Sequence, residues 1–529
     1  MTSVDTAPET GALLPPDRSA GPRFIAGTDW SRATWALLVV LCGALFLDGL
    51  DISMVGVALP SMGHELHMSP GSLQWIVSAY VLGYGGLLLL GGRAADLIGR
   101  RPVFLTAVAV FGAASLVSAF MTNDTALIAL RLVKGASAAF TVPAGLSIIT
   151  TTFAEGPARN RALSIYTVCG ASGFSLGLVF GGVLTELGWR ATLVAPAPVA
   201  LALVAVGYKL LPRTPRERLS IGHLDLAGAF TSTASLLVLV YAVVDAPSRG
   251  WGSAATIGSL IASGALMTAF VLIERRHAHP LVRLGILRSG SLLHANLSGA
   301  VMAGGYFAFQ FVVTLYLQNS LGWSPLAMAL GFLPAGLLVV ASATKMGAVL
   351  ERVGTPRLIF GGLSAFVLGY LLFLRVQPGM NYASFLLPTM LLLGVGFALS
   401  FPSINAQATA GVAPHEQGLA SGLVNTSIQV GGAIVLAVVT AIIGNKPAAA
   451  PGELLPGMAT TIAVVVGVSA VGLLVTGAVL VAGRRRSTSA ATATAEPALV
   501  LAAAGSGMGG GSGSGSGSGE RELALCETC

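Results

Sequence analysis

The chain alternates long apolar runs with short polar segments in which arginines recur. Fourteen runs have about the 20 residues an α-helix needs to cross roughly 30 Å of hydrocarbon. They fall near 33–59, 72–91, 103–121, 125–151, 163–185, 191–211, 226–244, 255–273, 293–317, 325–347, 358–374, 384–404, 418–443 and 459–482. Helices are the open-ended way to satisfy every backbone group inside lipid. The pattern therefore predicts an all-α polytopic membrane protein with 14 transmembrane helices.

Two spacings recur along the chain. Gly92-x-x-x-Asp96-x-x-Gly99 follows the second run, and Gly347-x-x-x-Glu351-Arg352-x-Gly354 follows the tenth, 255 residues later. Gly135 precedes Pro143 by eight residues in the fourth run, and Gly394 precedes Pro402 by eight in the twelfth. Nearly equal offsets point to duplicated six-helix halves, one of the recognised plans for membrane transporters. The expected organisation is a cytoplasmic tail at 1–32, a six-helix bundle at 33–211, an inserted helix pair at 212–289, a second bundle at 290–483, and a disordered Gly/Ser-rich cytoplasmic tail at 484–529.

Arginine and lysine set the expected orientation. Arg93, Arg100 and Arg101 follow the second run, Arg159 and Arg161 the fourth, Lys209 and Arg213 the sixth, Arg275 and Arg276 the eighth, Lys345 and Arg352 the tenth. The alternate loops carry none or one each. By the positive-inside rule these loops and both termini are cytoplasmic, and the expected location is the plasma membrane. No cleavable signal peptide is expected, because the first 32 residues contain no short apolar core.

Composition changes the picture only by exclusion. Charged residues make up 10% and hydrophobic residues 54%, against about 25% charged in a soluble domain. The net charge of +7 is accounted for by the loop arginines, so no nucleic-acid partner is expected. Cys42 and Cys169 lie in apolar runs and read as packing residues. Cys526 and Cys529 form a single C-x-x-C pair, short of the four ligands a structural zinc requires. No metal site and no cofactor are expected beyond a proton gradient. There is no G-x-x-x-x-G-K-[ST] phosphate loop for ATP-driven transport, and no nucleophile–base pair, so an enzyme is not expected.

The chemistry gathers where charge enters the apolar runs. Asp48 and Asp51 lie deep in the first run, where one aspartate costs roughly 2.5–3.5 kcal/mol on insertion scales. Their i, i+3 spacing puts both on one face, directed at protein or a water-filled cavity. Counting from Pro60, Asp51 lies roughly 13 Å below the outer face at 1.5 Å per residue. Arg131 and Lys134, again i, i+3, lie roughly 9 and 13 Å down the fourth run by the same count. An ion-pair cluster across a polar cavity is expected. It is either a proton-coupling site, in which separating acid from base switches proton affinity, or a purely structural buried pair.

Three further groups are candidates. Gly92, Asp96, Gly99, Arg100 and Arg101 combine turn glycines, an acid and a basic cluster suited to gating; the arginines also act as topology determinants. Gly173, Gly177 and Gly181 form an i, i+4, i+8 stripe, with Gly182 beside it, for close helix approach. Tyr306, Gln310, Asn405, Asn425 and Gln429 are polar residues suited either to lining a cavity or to bonding helices together. His64 and His67 in the first outer loop are either pH sensors or plain solvated loop residues, and His294, near the cytoplasmic end of the ninth run, receives no role.

These motifs together resemble the major facilitator superfamily, in its fourteen-span drug:proton antiporter branch. Gly92–Arg101 is similar to the superfamily's signature loop, with Leu97 where a basic residue is usual. Leu50–Pro60 is similar to the antiporters' first-span motif, with Ser53 for Thr and Gly56 for Asn. Arg131-Leu-Val-Lys134-Gly135 resembles the fourth-span motif, with Lys134 for Gln, and Gly173–Gly182 the fifth-span motif, with Leu178 for Pro. The resemblance implies two six-helix bundles plus two inserted helices, and proton-driven export of drugs, antibiotics or related hydrophobic or amphipathic small molecules by alternating access, by a functional monomer. It implies a cavity lined by spans 1, 4, 9 and 12, and proton transfer between Arg131 and Asp51. Lys134 adds a positive charge that either neutralises Asp48 or favours neutral or anionic substrates. The alternatives are a dedicated exporter of an endogenous metabolite, uptake by symport, and a non-transporting membrane sensor.

Overall fold

A computed structural model describes residues 30–154, 156–212, 225–277, 280, 282, 284–412, 416–443 and 452–505. The chain runs α1 Arg32–Glu65, α2 Pro70–Ile98, α3 Arg100–Ser118, α4 Asp124–Thr152, α5 Pro157–Leu187, α6 Trp189–Val194, α7 Pro196–Leu210, α8 Leu226–Arg249 and α9 Ala254–Arg276. After a short 3-10 turn come α10 Gly290–Leu315, α11 Pro325–Val353, α12 Thr355–Phe373, α13 Tyr382–Thr409, α14 Gln417–Ile443 and α15 Met458–Gly505. Among the described residues, 13 helices are long and apolar enough to span a membrane, and Ala227–Val243 of α8 is a shorter one. The sixth expected span is broken into α6 and α7, with Pro196 opening α7.

The helix starts are written in capping residues, whose side chains satisfy backbone N–H groups left free in the first turn. Ser31 accepts from Thr34 N, Ser69 from Ser72 N, Asn123 from Thr125 N and Asp225 from Gly228 N. Several helices run past their expected ends: α2 continues to Ile98, so Gly92 and Asp96 lie in helix and not in a turn, and α11 continues to Val353. Helix α1 does not stop at Pro60 but continues to Glu65 with the proline inside it, because one lost backbone bond is tolerated where neighbouring helices enclose the segment. There Glu65 accepts from Trp189 Nε1 at 2.7 Å and pairs with Arg190, tying α1 to α6. Helix α15 continues to Gly505 through the stretch expected to be disordered, where alanine, the strongest helix former, recurs. Cys526 and Cys529 lie outside the described residues.

Residues to Thr476 form one compact unit, and those from Gly477 a second. Within the first unit the helix pairing repeats: α1 packs on α5 and α2 on α4, as α10 packs on α14 and α11 on α13. One apolar core is built around Leu41, Phe104, Ile149 and Phe153. Another holds Phe309, Phe366, Phe373 and Leu386 together with Val55 and Leu59 from the far end of α1. The two helix sets meet along two seams, α2 with α14 and α5 with α11, which the repeat makes equivalent. At the first, Thr426 donates to Gly85 O at 3.1 Å. Helix α8 lies over this seam, with Thr233 donating to Gly86 O at 2.7 Å, and α8 holds α9 through reciprocal Ser235 and Ser263 hydroxyl-to-carbonyl bonds of 2.9 Å.

Candidate functional site

The midpoint of α1 presents Asp48 and Asp51 toward α4. Asp51 is fully buried and is bonded on both oxygens: Arg131 Nη1 donates to Oδ2 and Lys134 Nζ to Oδ1. Arg131 also donates through Nε to Ile76 O at 3.0 Å and lies 4.5 Å over the Tyr80 ring. Lys134 Nζ lies 4.8 Å over the Phe111 ring. Each cation thus gains a carboxylate and an aromatic face, which offsets part of its desolvation. The expected level of these residues is met. Of the two roles open to Lys134, a direct bond to Asp48 is not formed: the phase of α4 aims the ammonium at Asp51, and Asp48 Oδ2 is buried with no hydrogen-bond partner.

The contact between the two helix sets is aromatic. Tyr306 of α10 is buried, with ring centroids 6.0 Å from Phe174 of α5, 5.9 Å from Phe397 of α13 and 6.3 Å from Phe307. Phe401 stacks on Phe397 at 5.2 Å. Gln310 of α10 places Nε2 3.5 Å from where a Cβ on Gly56 would stand. Toward the Glu65 end of α1, Gln318 donates to Val57 O at 3.0 Å. The rings of Phe174, Tyr306, Phe397 and Phe401 offer aromatic faces of the kind that apolar ligands stack on.

The family model of the Major Facilitator Superfamily matches residues 41–436. The chain belongs to the Major Facilitator Superfamily. It is 38% identical over 475 residues to a puromycin resistance protein of Streptomyces alboniger, covering 86% of this chain and 93% of that one. It is 36% identical over 457 residues to a cephamycin export protein of Amycolatopsis lactamdurans, covering 86% and 91%. Among solved structures, a POT peptide transporter aligns with a TM-score of 0.63 at 16% identity over 84% of this chain and 94% of that one. The human organic anion transporter MFSD10 aligns with a TM-score of 0.58 at 17% identity over 84% and 100%; both likenesses concern the fold. A polytopic member of this superfamily is a membrane transporter of small molecules, not an enzyme.

The remaining motifs take their places on that transporter fold. Gly99, at φ +109°, separates α2 from α3, a left-handed backbone that favours glycine. Gly354, at φ +84°, separates α11 from α12 at the equivalent point. Gly92 approaches Pro143 of α4, Arg100 opens α3, and Arg101 lies 5.2 Å over the Tyr208 ring. The side chain of Asp96 lies outside the described residues. Gly173, Gly177 and Gly181 face Phe46, Leu50 and Met54 of α1, where any Cβ would meet backbone. Gly182 instead faces Leu326 and Ala329 of α11, so the stripe serves two interfaces.

The expected cavity residues divide. Tyr306 and Gln310 lie at the meeting of the helix sets. Asn405 and Asn425 turn back to Phe401 O and Ser421 O of their own helices at 2.9 and 3.0 Å. Gln429 lies against Gly85 with Oε1 unpartnered. Sequence reasoning missed the phenylalanines around Tyr306, which apolar runs hide among similar residues. It also missed a buried polar set in which His294 Nδ1 lies 2.6 Å from Gln407 Nε2 and Nε2 lies 2.9 Å from Thr476 Oγ1. A histidine inside an apolar run was its visible signal.

Proposed function

We propose that this protein exports antibiotics or related hydrophobic small molecules across the plasma membrane, driven by inward proton flow, as a monomer with both termini on the cytoplasmic side. The observation that carries the proposal is the buried cluster of Asp48, Asp51, Arg131 and Lys134 inside the spanning helices. Ionisable groups within spanning helices are expensive and face pathways for ions or substrates. Relatives along most of the chain are named for resistance to puromycin and lincomycin and for export of cephamycin and tetracenomycin. The loop arginines support the orientation. Binding of a proton at the cluster would weaken its ion pairs and favour one arrangement of the two helix sets; its release would favour the other.

The test is efflux of puromycin and ethidium from cells expressing the wild type, Asp51→Asn or Arg131→Ala at matched membrane levels, with and without a protonophore. Wild-type efflux should collapse with the proton gradient, and both variants should lose it. Efflux that persists under protonophore would overturn proton coupling. A wild type that moves neither compound would overturn the substrate class.

A further inference from the structure

We propose that Asp48, and not Asp51, is the carboxylate that takes up and releases the transported proton, with Asp51 the fixed counter-ion that holds Arg131 and Lys134. The inference rests on the proton-coupled reading and names the group within it.

The two acids sit one helical turn apart in opposite circumstances. Both oxygens of Asp51 accept charge-assisted bonds, one from Arg131 and one from Lys134. To bind a proton, Asp51 would have to surrender one of these bonds and leave two buried cations facing a neutral acid. Asp48 has no such tie. Its Oδ2 is buried and accepts no hydrogen bond, so a proton can add there without displacing a donor. An ionised carboxylate in this position lacks the partners that buried charges need, whereas the protonated form carries no charge.

Access separates them as well. Asp51 is 0% exposed and Asp48 5%. Around Asp48 stand Tyr80 and Tyr84 from α2, Tyr166 from α5, Lys134 from α4, and Asp51 on α1 itself, with Arg131 held on Asp51. Tyr84 and Tyr166 keep a little exposed surface while Tyr80 has none. From α7, Leu203 closes on Gly43 further toward the start of α1.

Charge balance supplies the release step. With Asp48 ionised, the two acids and two cations sum to zero; with Asp48 protonated, the cluster carries one positive charge. Lys134 lies within electrostatic reach of both acids. A rotation of α4 against α1 that moves its ammonium toward Asp48 expels the proton: the O–H bond breaks, water takes the proton, and the carboxylate left behind pairs with Lys134. Arg131 stays on Asp51 throughout.

Difference infrared spectroscopy of the purified full-length protein in liposomes, titrated with pH in light and heavy water, reads the proton directly. Wild type should show a titrating protonated-carboxyl stretch. Asp48→Asn should lose that band, and Asp48→Glu should keep it at a shifted frequency. A band that survives in Asp48→Asn overturns the assignment, as does its absence from wild type. Gradient-driven ethidium accumulation in the same liposomes gives a separate readout, which Asp48→Asn should lose and Asp48→Glu should partly restore. If wild-type liposomes accumulate no ethidium while the band behaves as described, the transport reading fails and the proton site stands.

Discussion

Gly135 of α4 lies so close to Tyr80 of α2 that a Cβ on it would overlap the Tyr80 carbonyl oxygen. The contact has a consequence for the ion cluster, because Lys134 is the adjacent residue, Arg131 lies one turn back along α4, and Tyr80 is the ring beneath Arg131. Gly83 and Gly91 of α2 press on α4 backbone in the same way. The neighbour is main chain, which cannot rotate away, so Gly135→Ala forces the helices apart. Overpacking of this kind costs about 1–3 kcal/mol. The variant should melt several degrees lower in detergent and lose efflux, whereas Gly347→Ala, which faces open space, should melt no lower than wild type.

The α5 glycines predict a division of labour. Gly177 faces Leu50 and Ser53 of α1, and Gly182 faces Leu326, Ala329 and Pro325 of α11. The first contact lies within one helix set and the second between the two. Gly177→Ala should therefore lower the melting temperature. Gly182→Ala should leave it within a few degrees of wild type and instead shift the equilibrium between conformations, since it pries at a seam that alternating access has to open. Spin-label distances between α5 and α11 should widen in the second variant and stay unchanged in the first.

The seams and the repeat explain what the sequence made visible. The 255-residue offset between Gly92 and Gly347 carries Gly99 onto Gly354, and both glycines have positive φ at matching helix junctions. The same logic relates Gly135, against α2, to Gly394, which presses on Ala335 of α11. Such features are legible because close approach and left-handed backbone each demand glycine. The level of Asp51 with Arg131 and Lys134 was legible from rise per residue alone. Which acid Lys134 would reach was not, because it depends on the rotational phase of two helices that each tolerate several phases in an apolar setting. The insertion of α8 over the α2–α14 seam was hidden for the same reason: Thr233 looks like any other helix hydroxyl until its carbonyl partner, Gly86, is known.

Tyr306 predicts where ligand recognition resides. Its ring touches Phe174 from one helix set and Phe397 from the other, so a ligand wedged here separates the sets. Aromatic pairs contribute about 0.5–1.5 kcal/mol beyond area burial. Tyr306→Ala should raise the apparent KM for puromycin or ethidium efflux several-fold, and Tyr306→Phe should recover most of the loss. Equal KM values in wild type and Tyr306→Ala, at matched expression, would place recognition elsewhere.

His294 predicts a purely structural effect. It bridges α10 to α13 through Gln407 and to α15 through Thr476. Thr476 already donates to Gly472 O at 2.8 Å, so its oxygen accepts from His294 Nε2, and Nδ1 accepts from Gln407 (neutral imidazole in this arrangement). His294→Ala strands buried polar atoms at about 1–3 kcal/mol. Melting temperature should fall, and efflux per folded molecule should stay at the wild-type level.

The two cations on Asp51 predict an asymmetry between deletions. Asp51→Asn leaves Arg131 and Lys134 buried without their carboxylate, and breaking a buried pair from one side costs about 3–5 kcal/mol. Lys134→Gln removes one cation and leaves the Asp51–Arg131 pair intact, so its cost should be smaller. The acids would then exceed the cations by one charge if Asp48 were ionised, and Asp48 can cancel that excess by keeping its proton. Lys134→Gln should accordingly fold well while failing to expel the proton: melting near wild type, efflux lost, and the protonated-carboxyl band present but no longer titrating. In the double variant, Lys134→Gln should recover part of the stability lost in Asp51→Asn, because one stranded cation is gone. Additive losses in that cycle would mean Lys134 draws its counter-charge from somewhere other than Asp51, and the fixed-counter-ion role would fall with it.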